Sequence, residues 1–443
     1  MDEIETWLQK YGIDEVEGLV PDMAGVARGK FVPADKFNKH EGMRLPEAVF
    51  LQTVTGEYGV PADIDLSDPD MFTRPDASTL RPVPWAAEPT ASVIMDCFHE
   101  DGSPVAIAPR YVLQRVLQLY EEKGLQPVVA PEVEFYLVKP NIDPDYPLEP
   151  PVGRSGRQET VRQSYSMDAI NEFEALFEEI YDFCEKQNVE IDTLIHEQGA
   201  AQVEINFLHG DPLLLADQVF LFKRTVREVA LRHDVYATFM AKPMAAEPGS
   251  ALHLHQSVVR RDDGGNLFTD SGGKASQPFY HYIGGLQKYI PAAILLFAPY
   301  VNSYRRFARY LAAPINVHWG HDNRTVGLRV PVSDPENRRI ENRVAGADVN
   351  PYLVIAASLA AGYLGMSQEC EPADPIKGSA YDMPFSLARD MFGAVDALKA
   401  SKPLGKILGE SFVEAYCAIK EKEYANYFHV ISPWEREFLL LNV

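Results

Sequence analysis

Pro131-Glu132-Val133-Glu134-Phe135-Tyr136-Leu137 alternates as a β-strand does, with Glu132 and Glu134 on one face and Val133 and Phe135 on the other. A solvated strand edge carrying two glutamates is the plain alternative. The flanks, Gln126–Ala130 and Phe135–Val138, are apolar and β-prone, and they point instead to an interior strand. Two like charges on an interior strand repel each other unless a positive charge sits between them, and a divalent cation meets that need.

Four further segments repeat the pattern. In His196–Glu204, Gln202 and Glu204 share a strand face, and Glu197 precedes them across a Gly199-Ala200 turn. In Ser250–Ser257, His253, His255 and Ser257 lie opposite Leu252 and Leu254. Arg339, Glu341 and Arg343 share a third face, and Arg324 and Arg329 bracket a short apolar strand. Taken singly, these read as a histidine pair, a salt-bridge ladder and surface ion pairs. Taken together with the first strand, they supply five glutamates, one or two histidine ligands and several arginines. Carboxylate-rich sites suit Mg²⁺ or Mn²⁺ rather than zinc. Arginines beside such metals are what phosphoryl transfer from a nucleotide needs. No Walker-type loop is present, because Ser271–Lys274 lacks the upstream glycine spacing.

The 443 residues suffice for a large core, and 46% hydrophobic with 24% charged content is that of a soluble globular protein. A formal charge of −23 disfavours nucleic acid and anionic membranes as partners. The four cysteines are scattered and form no C-x-x-C pair. The acidic amino terminus does not resemble a signal peptide, and the longest apolar run, near 291–301, is too short to span a bilayer. A cytoplasmic protein is expected. Residues 1–105 read as a small α+β domain and 106–443 as the catalytic domain. Helices are expected over Asp2–Tyr11, Tyr111–Lys123, Ala169–Gln187, Leu213–His233 and Gln277–Ala298, and over most of the chain after Pro351. Pro61–Trp85 reads as an irregular connection.

In this order, several motifs together resemble the glutamine synthetase family over nearly the whole chain. They are Asp22/Gly25/Arg28/Lys30, Pro75-Asp76, Glu132/Glu134-Phe135, His196-Glu197 to Glu204, Gly249-Ser250 to Ser257, Asn302 to Arg306, Trp319-Gly320/Asn323-Arg324, Arg339 to Arg343 and Asn350–Leu353. The resemblance implies an α+β fold, with a small amino-terminal β-grasp domain and a large catalytic domain built on a curved antiparallel sheet. It implies homo-oligomeric rings, a hexamer or a dodecamer, with sites between neighbouring subunits. By the family's pattern, Glu134, Glu197 and Glu204 would hold one Mg²⁺ or Mn²⁺, and Glu132, His253 and Glu341 the other. His255, Ser257, Arg329 and Arg339 match ATP-contacting positions. Arg324 matches the arginine that meets the transferred phosphate. Gly249, Arg306 and Arg343 match the residues that hold L-glutamate.

The departures concern the second substrate. Where glutamine synthetases carry an acid in the first domain, Val49–Gly56 has none. The flap acid before an Ala-Pro bend is replaced by Ala312. A cation site without these charges loses its hold on ammonium and gains room for carbon. The Arg157–Asp168 run resembles the γ-glutamylpolyamine synthetase branch, and Tyr165 matches a tyrosine that flanks the ammonium pocket. The tyrosine modified in adenylylated members has no counterpart near Ala380–Leu387. The expectation is an ATP-dependent ligase joining glutamate to an organic mono-, di- or polyamine, for amine or polyamine catabolism. Glutamine synthetase itself, and a silent ring protein, are the alternatives.

Overall fold

The structure, a computed structural model, describes residues 3–40, 42–61, 67–160 and 162–443. Asp2 of the first expected helix, residues 62–66 of the expected connection and Val161 of the 157–168 run fall outside them.

Six strands near the amino terminus form one sheet: β1 (Glu15–Pro21), β2 (Ala27–Pro33), β3 (Arg44–Pro46), β4 (Asp70–Pro75), β5 (Arg81–Pro82) and β6 (Thr90–Phe98). Their order is β2-β1-β6-β4-β3, with β5 beside β6 and β1 parallel to β6. The connection expected at Pro61–Trp85 therefore contains β4 and β5. Proline and aspartate at the ends of β4 conceal its alternation, and Met71 and Thr73 are buried against β6 and β3.

Eight strands form the second sheet: β7 (Leu125–Val138), β8 (Ile191–His196), β9 (Gln202–Phe207), β10 (Tyr236–Thr238), β11 (Leu252–Arg260), β12 (Trp319–His321), β13 (Leu328–Val330) and β14 (Ile340–Asn342). The order is β12-β13-β14-β11-β7-β9-β8, with β10 also on β7. The sheet is mixed rather than antiparallel throughout, because the edge pair β12–β13 runs parallel. The chain enters β12 and β13 in one direction after the loop Asp322–Gly327, so a hairpin turn is not what joins them.

The stretch Pro131–Leu137 sits inside β7, between β11 and β9. Val133 and Phe135 are fully buried on the sheet's lower face, and Phe135 packs on Phe222 and Phe239 at centroid distances of 6.3 and 5.5 Å. The helix Pro109–Glu121 leads into β7 through a turn at Gly124, whose φ of +67° favours glycine. The helix Pro212–Arg232 lies beneath the sheet, and Asp211 caps it through the Leu213 and Leu214 amides. The helix Pro351–Ser367 is buried almost all round and packs on Gln277–Tyr289 where Gly285 meets Gly365, a closeness that leaves no room for a Cβ on either. Among the described residues no helix is long and apolar enough to cross a membrane.

The expected helix Ala169–Gln187 breaks into Met167–Asn171 and Glu174–Lys186. At the break, Glu172 turns to receive the Ser155 amide at 2.9 Å, so a tertiary contact overrides helix propensity.

Buried Arg110 ties the two sheets together. It reaches Asp96 at 2.7 Å on β6, Asp76 at 2.6 Å just after β4, and Asp217 at 2.9 Å on the helix beneath the second sheet. Tyr352 donates a further hydrogen bond to Asp217 at 2.6 Å.

Candidate active site

Register places the polar residues in a row across the upper face of the second sheet. Glu204 on β9 pairs with Glu134 on β7, and Glu132 on β7 pairs with His253 on β11. His255 on β11 then pairs with Glu341 on β14, and Glu341 with Arg329 on β13. Because successive side chains alternate, a one-residue slip in any of these pairs would turn its residues to the opposite face. Glu197 joins from the turn after β8, where its amide donates to the Gln202 carbonyl at 2.8 Å.

Above this row is a cavity of about 660 Å³. It is lined by all six expected metal ligands, by Gly249 and Tyr165, and by Arg306, Arg324, Arg329 and Arg343. His255, Ser257 and Arg339 are not in its wall. They continue the same strand face outward along β11 and β14, where the Arg339 Nε donates to His255 Nδ1 at 3.2 Å. Since a guanidinium only donates, Nδ1 is the acceptor, and Nε2 carries the proton toward Glu132 Oε1 at 2.8 Å.

Two groups of acids are packed more closely than free carboxylates tolerate. Glu134, Glu197 and Glu204 each bring an oxygen within 4.8 Å of the others'. Burial, then Glu197, pushes Glu134 up to about 8. Burial, then Glu132, Glu134 and Glu197, pushes Glu204 up to about 10. In the second group, Glu132 lies 3.3 Å from His253 Nδ1, and Glu341 lies 3.9 Å from it. Burial, then Arg343, holds His253 at about 4, so its imidazole is neutral at pH 7 and competent as a ligand. Burial raises the Glu341 carboxyl, but Arg343 and the two imidazoles outweigh it and hold it at about 2. Oxygen donors with at most one neutral imidazole, crowded and desolvated, fit hard divalent cations.

The arginines are held in different ways. Buried Arg306 donates to the carbonyls of Val344 at 2.8 Å and Arg343 at 3.1 Å. It lies against Gly249, where a Cβ would sit 2.7 Å from its Cγ. Arg343 is ion-paired with Glu341, and Arg329 bridges Glu341 and Asp322. The Nε atoms of Arg329 and Arg343 are buried without a partner. Arg324 is exposed at the rim and has no hydrogen-bond partner among the described residues.

Gln202 is a further component of the site, and its spacing of two from Glu204 was the signal for it. Its Oε1 accepts from the Gly199 amide at 2.9 Å and from Tyr136 Oη at 3.1 Å, which leaves Nε2 as the donor end. Nε2 donates to Glu134 Oε2 and to the Gly249 carbonyl, both at 3.1 Å. With the Ala251 amide at 2.8 Å on the same Oε2, the other oxygen of Glu134 is left for the cavity. Tyr310, on a loop, and Tyr381, in the one-turn helix Ala380–Asp382, also line the cavity, where no periodicity announces them.

The loop Val49–Gly56 is absent from the wall of its own chain's cavity. It is fixed elsewhere, through the Val54 amide to Glu423 at 2.9 Å and through Asn426 to Thr55 at 3.3 Å.

The family model "Glutamine synthetase, catalytic domain" matches residues 106–439. Gamma-glutamylputrescine synthetase PuuA of Escherichia coli is 35% identical, over 99% of this chain and 94% of its own. Glutamate–isopropylamine ligase of a Pseudomonas species is 33% identical, over 98% of this chain and 96% of its own. A glutamine synthetase of Pyrococcus abyssi is 31% identical, over 94% of this chain and 91% of its own. Solved structures of GmaS, one without ligand and one described as an ADP complex, superpose with TM-scores of 0.86 at 28% identity. They cover 100% and 99% of this chain and 100% of theirs. The arrangement of acids and arginines and these similarities agree: the chain belongs to the glutamine synthetase family and is an ATP-dependent carbon–nitrogen ligase acting on glutamate.

Proposed function

We propose that the protein is a glutamate–amine ligase that makes a γ-glutamylamide from L-glutamate and an organic mono-, di- or polyamine. The observation that carries this reading is Ala312: it lines the cavity where an ammonium-binding acid is expected, beside acid clusters suited to cations and four arginines. The γ-carboxylate of glutamate takes the terminal phosphoryl of ATP, and the amine then displaces phosphate from γ-glutamyl phosphate.

Glu134, Glu197 and Glu204 would hold one Mg²⁺ or Mn²⁺, and Glu132, His253 and Glu341 a second. Cations bound there would neutralise charge on the phosphoryl oxygens and the leaving group. Arg306, fixed by two carbonyls, and Arg343, with its buried Nε unpaired, orient the carboxylates of glutamate. Arg324 is free to meet the transferred phosphoryl, and Arg329 offers a second unpaired Nε. His255, Ser257 and Arg339 extend the face outward for the nucleotide, and Tyr165 flanks the amine. Residues 1–105 form the small domain in this reading, and the loop Val49–Gly56 serves a neighbour in a homo-oligomeric, cytoplasmic ring.

Phosphate release with ATP, glutamate and a panel of amines tests the proposal. Turnover that depends on an organic amine is expected. Release with ammonium alone, at an efficiency matching the best amine, would assign the protein as a glutamine synthetase instead.

A further inference from the structure

The relatives leave the amine's chemistry open, since one is named for putrescine, a diamine, and another for isopropylamine, a monoamine. We propose that the amine's substituent lies against a neutral wall of Tyr165, Tyr310, Ala312 and Tyr381, and that this wall selects monoamines with uncharged aliphatic or aromatic substituents over diamines and polyamines. The inference rests on the ligase reading above and narrows its substrate class.

The charges of the cavity carry the argument. Each carboxylate in its wall, Glu132, Glu134, Glu197, Glu204 and Glu341, belongs to one of the acid clusters suited to cations. The remaining permanent charges in the wall are four arginines. A distal ammonium leaving water needs an acid of its own, and among the described residues of this wall none is unengaged. Two acids next to the wall, Glu159 and Glu247, are engaged. Glu159 accepts from the Ala201 amide at 2.7 Å and lies 3.0 Å from His196 Nε2, and Glu247 accepts from the Ala200 amide at 3.2 Å.

The Tyr310 and Tyr381 rings are 5.2 Å apart, and the charges of Arg343 and Arg306 act on the Tyr381 hydroxyl. A cation can rest on a tyrosine face, but at this place it would approach two guanidiniums. A methyl, alkyl or phenyl group in the same place carries no charge for them to repel.

Backbone geometry adds an independent observation. Tyr165, Tyr310 and Ala312 have φ of +64°, +62° and +61°, three of the nine non-glycine residues in the left-handed region among those described. Such conformations persist where the surroundings impose them, and they collect at functional sites. Tyr165 and Tyr310 are also 63% and 69% exposed, which leaves broad apolar surface for a substituent to cover.

The test compares n-butylamine with 1,4-diaminobutane, with benzylamine as a bulkier probe, by phosphate release at saturating ATP and glutamate. For the wild-type protein, kcat/KM is expected to be about tenfold or more higher with butylamine than with the diamine, and benzylamine is expected to be accepted. Tyr310→Glu should shift the ratio toward the diamine by about fivefold or more, as an acid at the wall would pair with the distal ammonium. Equal or better use of the diamine by the wild type overturns this inference and leaves the ligase reading standing. Turnover with ammonium but with neither organic amine overturns both. An unchanged ratio in a Tyr310→Glu variant with wild-type circular dichroism overturns the location of the wall. If that variant does not fold, the wild-type comparison decides alone.

Discussion

Glu204→Gln separates a metal ligand from a structural acceptor. The Glu204 side chain is buried, brings an oxygen within 4.8 Å of oxygens of Glu134 and Glu197, and receives no hydrogen bond from any described residue. Two full charges 4.8 Å apart repel by about 3.5 kcal/mol at an effective dielectric constant of about 20. Glu204, pushed up to about 10 by burial and these neighbours, escapes the repulsion at pH 7 by taking up a proton at a cost in folding free energy, and a glutamine that needs no proton should stabilise the metal-free protein by about 1–3 kcal/mol. The glutamine keeps the shape and loses no hydrogen bond. Thermal unfolding in EDTA should therefore show a higher Tm for the variant, by a few degrees. Added Mn²⁺ should raise the wild-type Tm further by mass action and the variant's much less, with phosphoryl transfer lost in the variant. A variant less stable than wild type in EDTA by more than about 1 kcal/mol would refute the reasoning, because that loss marks a satisfied buried acceptor.

Arg110→Met should destabilise the protein by about 3–5 kcal/mol in denaturant unfolding, since it leaves Asp76, Asp96 and Asp217 without their shared cation. Gln202→Glu keeps the acceptor for Gly199 but places a second anion where Nε2 now holds Glu134 at 3.1 Å. Mn²⁺ affinity measured by calorimetry should fall by about 10–100-fold, with circular dichroism unchanged. Ala312→Glu returns an acid to the flap at a φ of +61° already tolerated there, and steady-state kinetics should show a rise in kcat/KM for ammonium relative to butylamine.

The parts of this site that lie on strands were legible because strand period and register obey a simple rule. Glu132, Glu134, Gln202, Glu204, His253 and Glu341 each sit at an alternate position opposite buried apolar neighbours, and pairing can bring such faces together in few ways. The wall residues on loops carried no such signal. Tyr310 and Tyr381 come from segments 71 residues apart, and their meeting depends on a left-handed backbone that sequence pattern does not encode. The same limit hid β4, whose flanking prolines and aspartates read as a connection although its inward residues are buried. It also hid the break at Glu172, set by a contact with Ser155 seventeen residues away in the chain. The residues of the outer face, His255 and Arg339, were legible as sharing a side, but not as hydrogen-bonding to each other.

The central claim is that this ligase chooses an organic amine over ammonium. A single reaction containing ATP, glutamate, Mn²⁺ and equal concentrations of ammonium and n-butylamine, read by mass spectrometry, tests it most directly. The account predicts γ-glutamylbutylamide as the dominant product. Glutamine as the dominant product would contradict it.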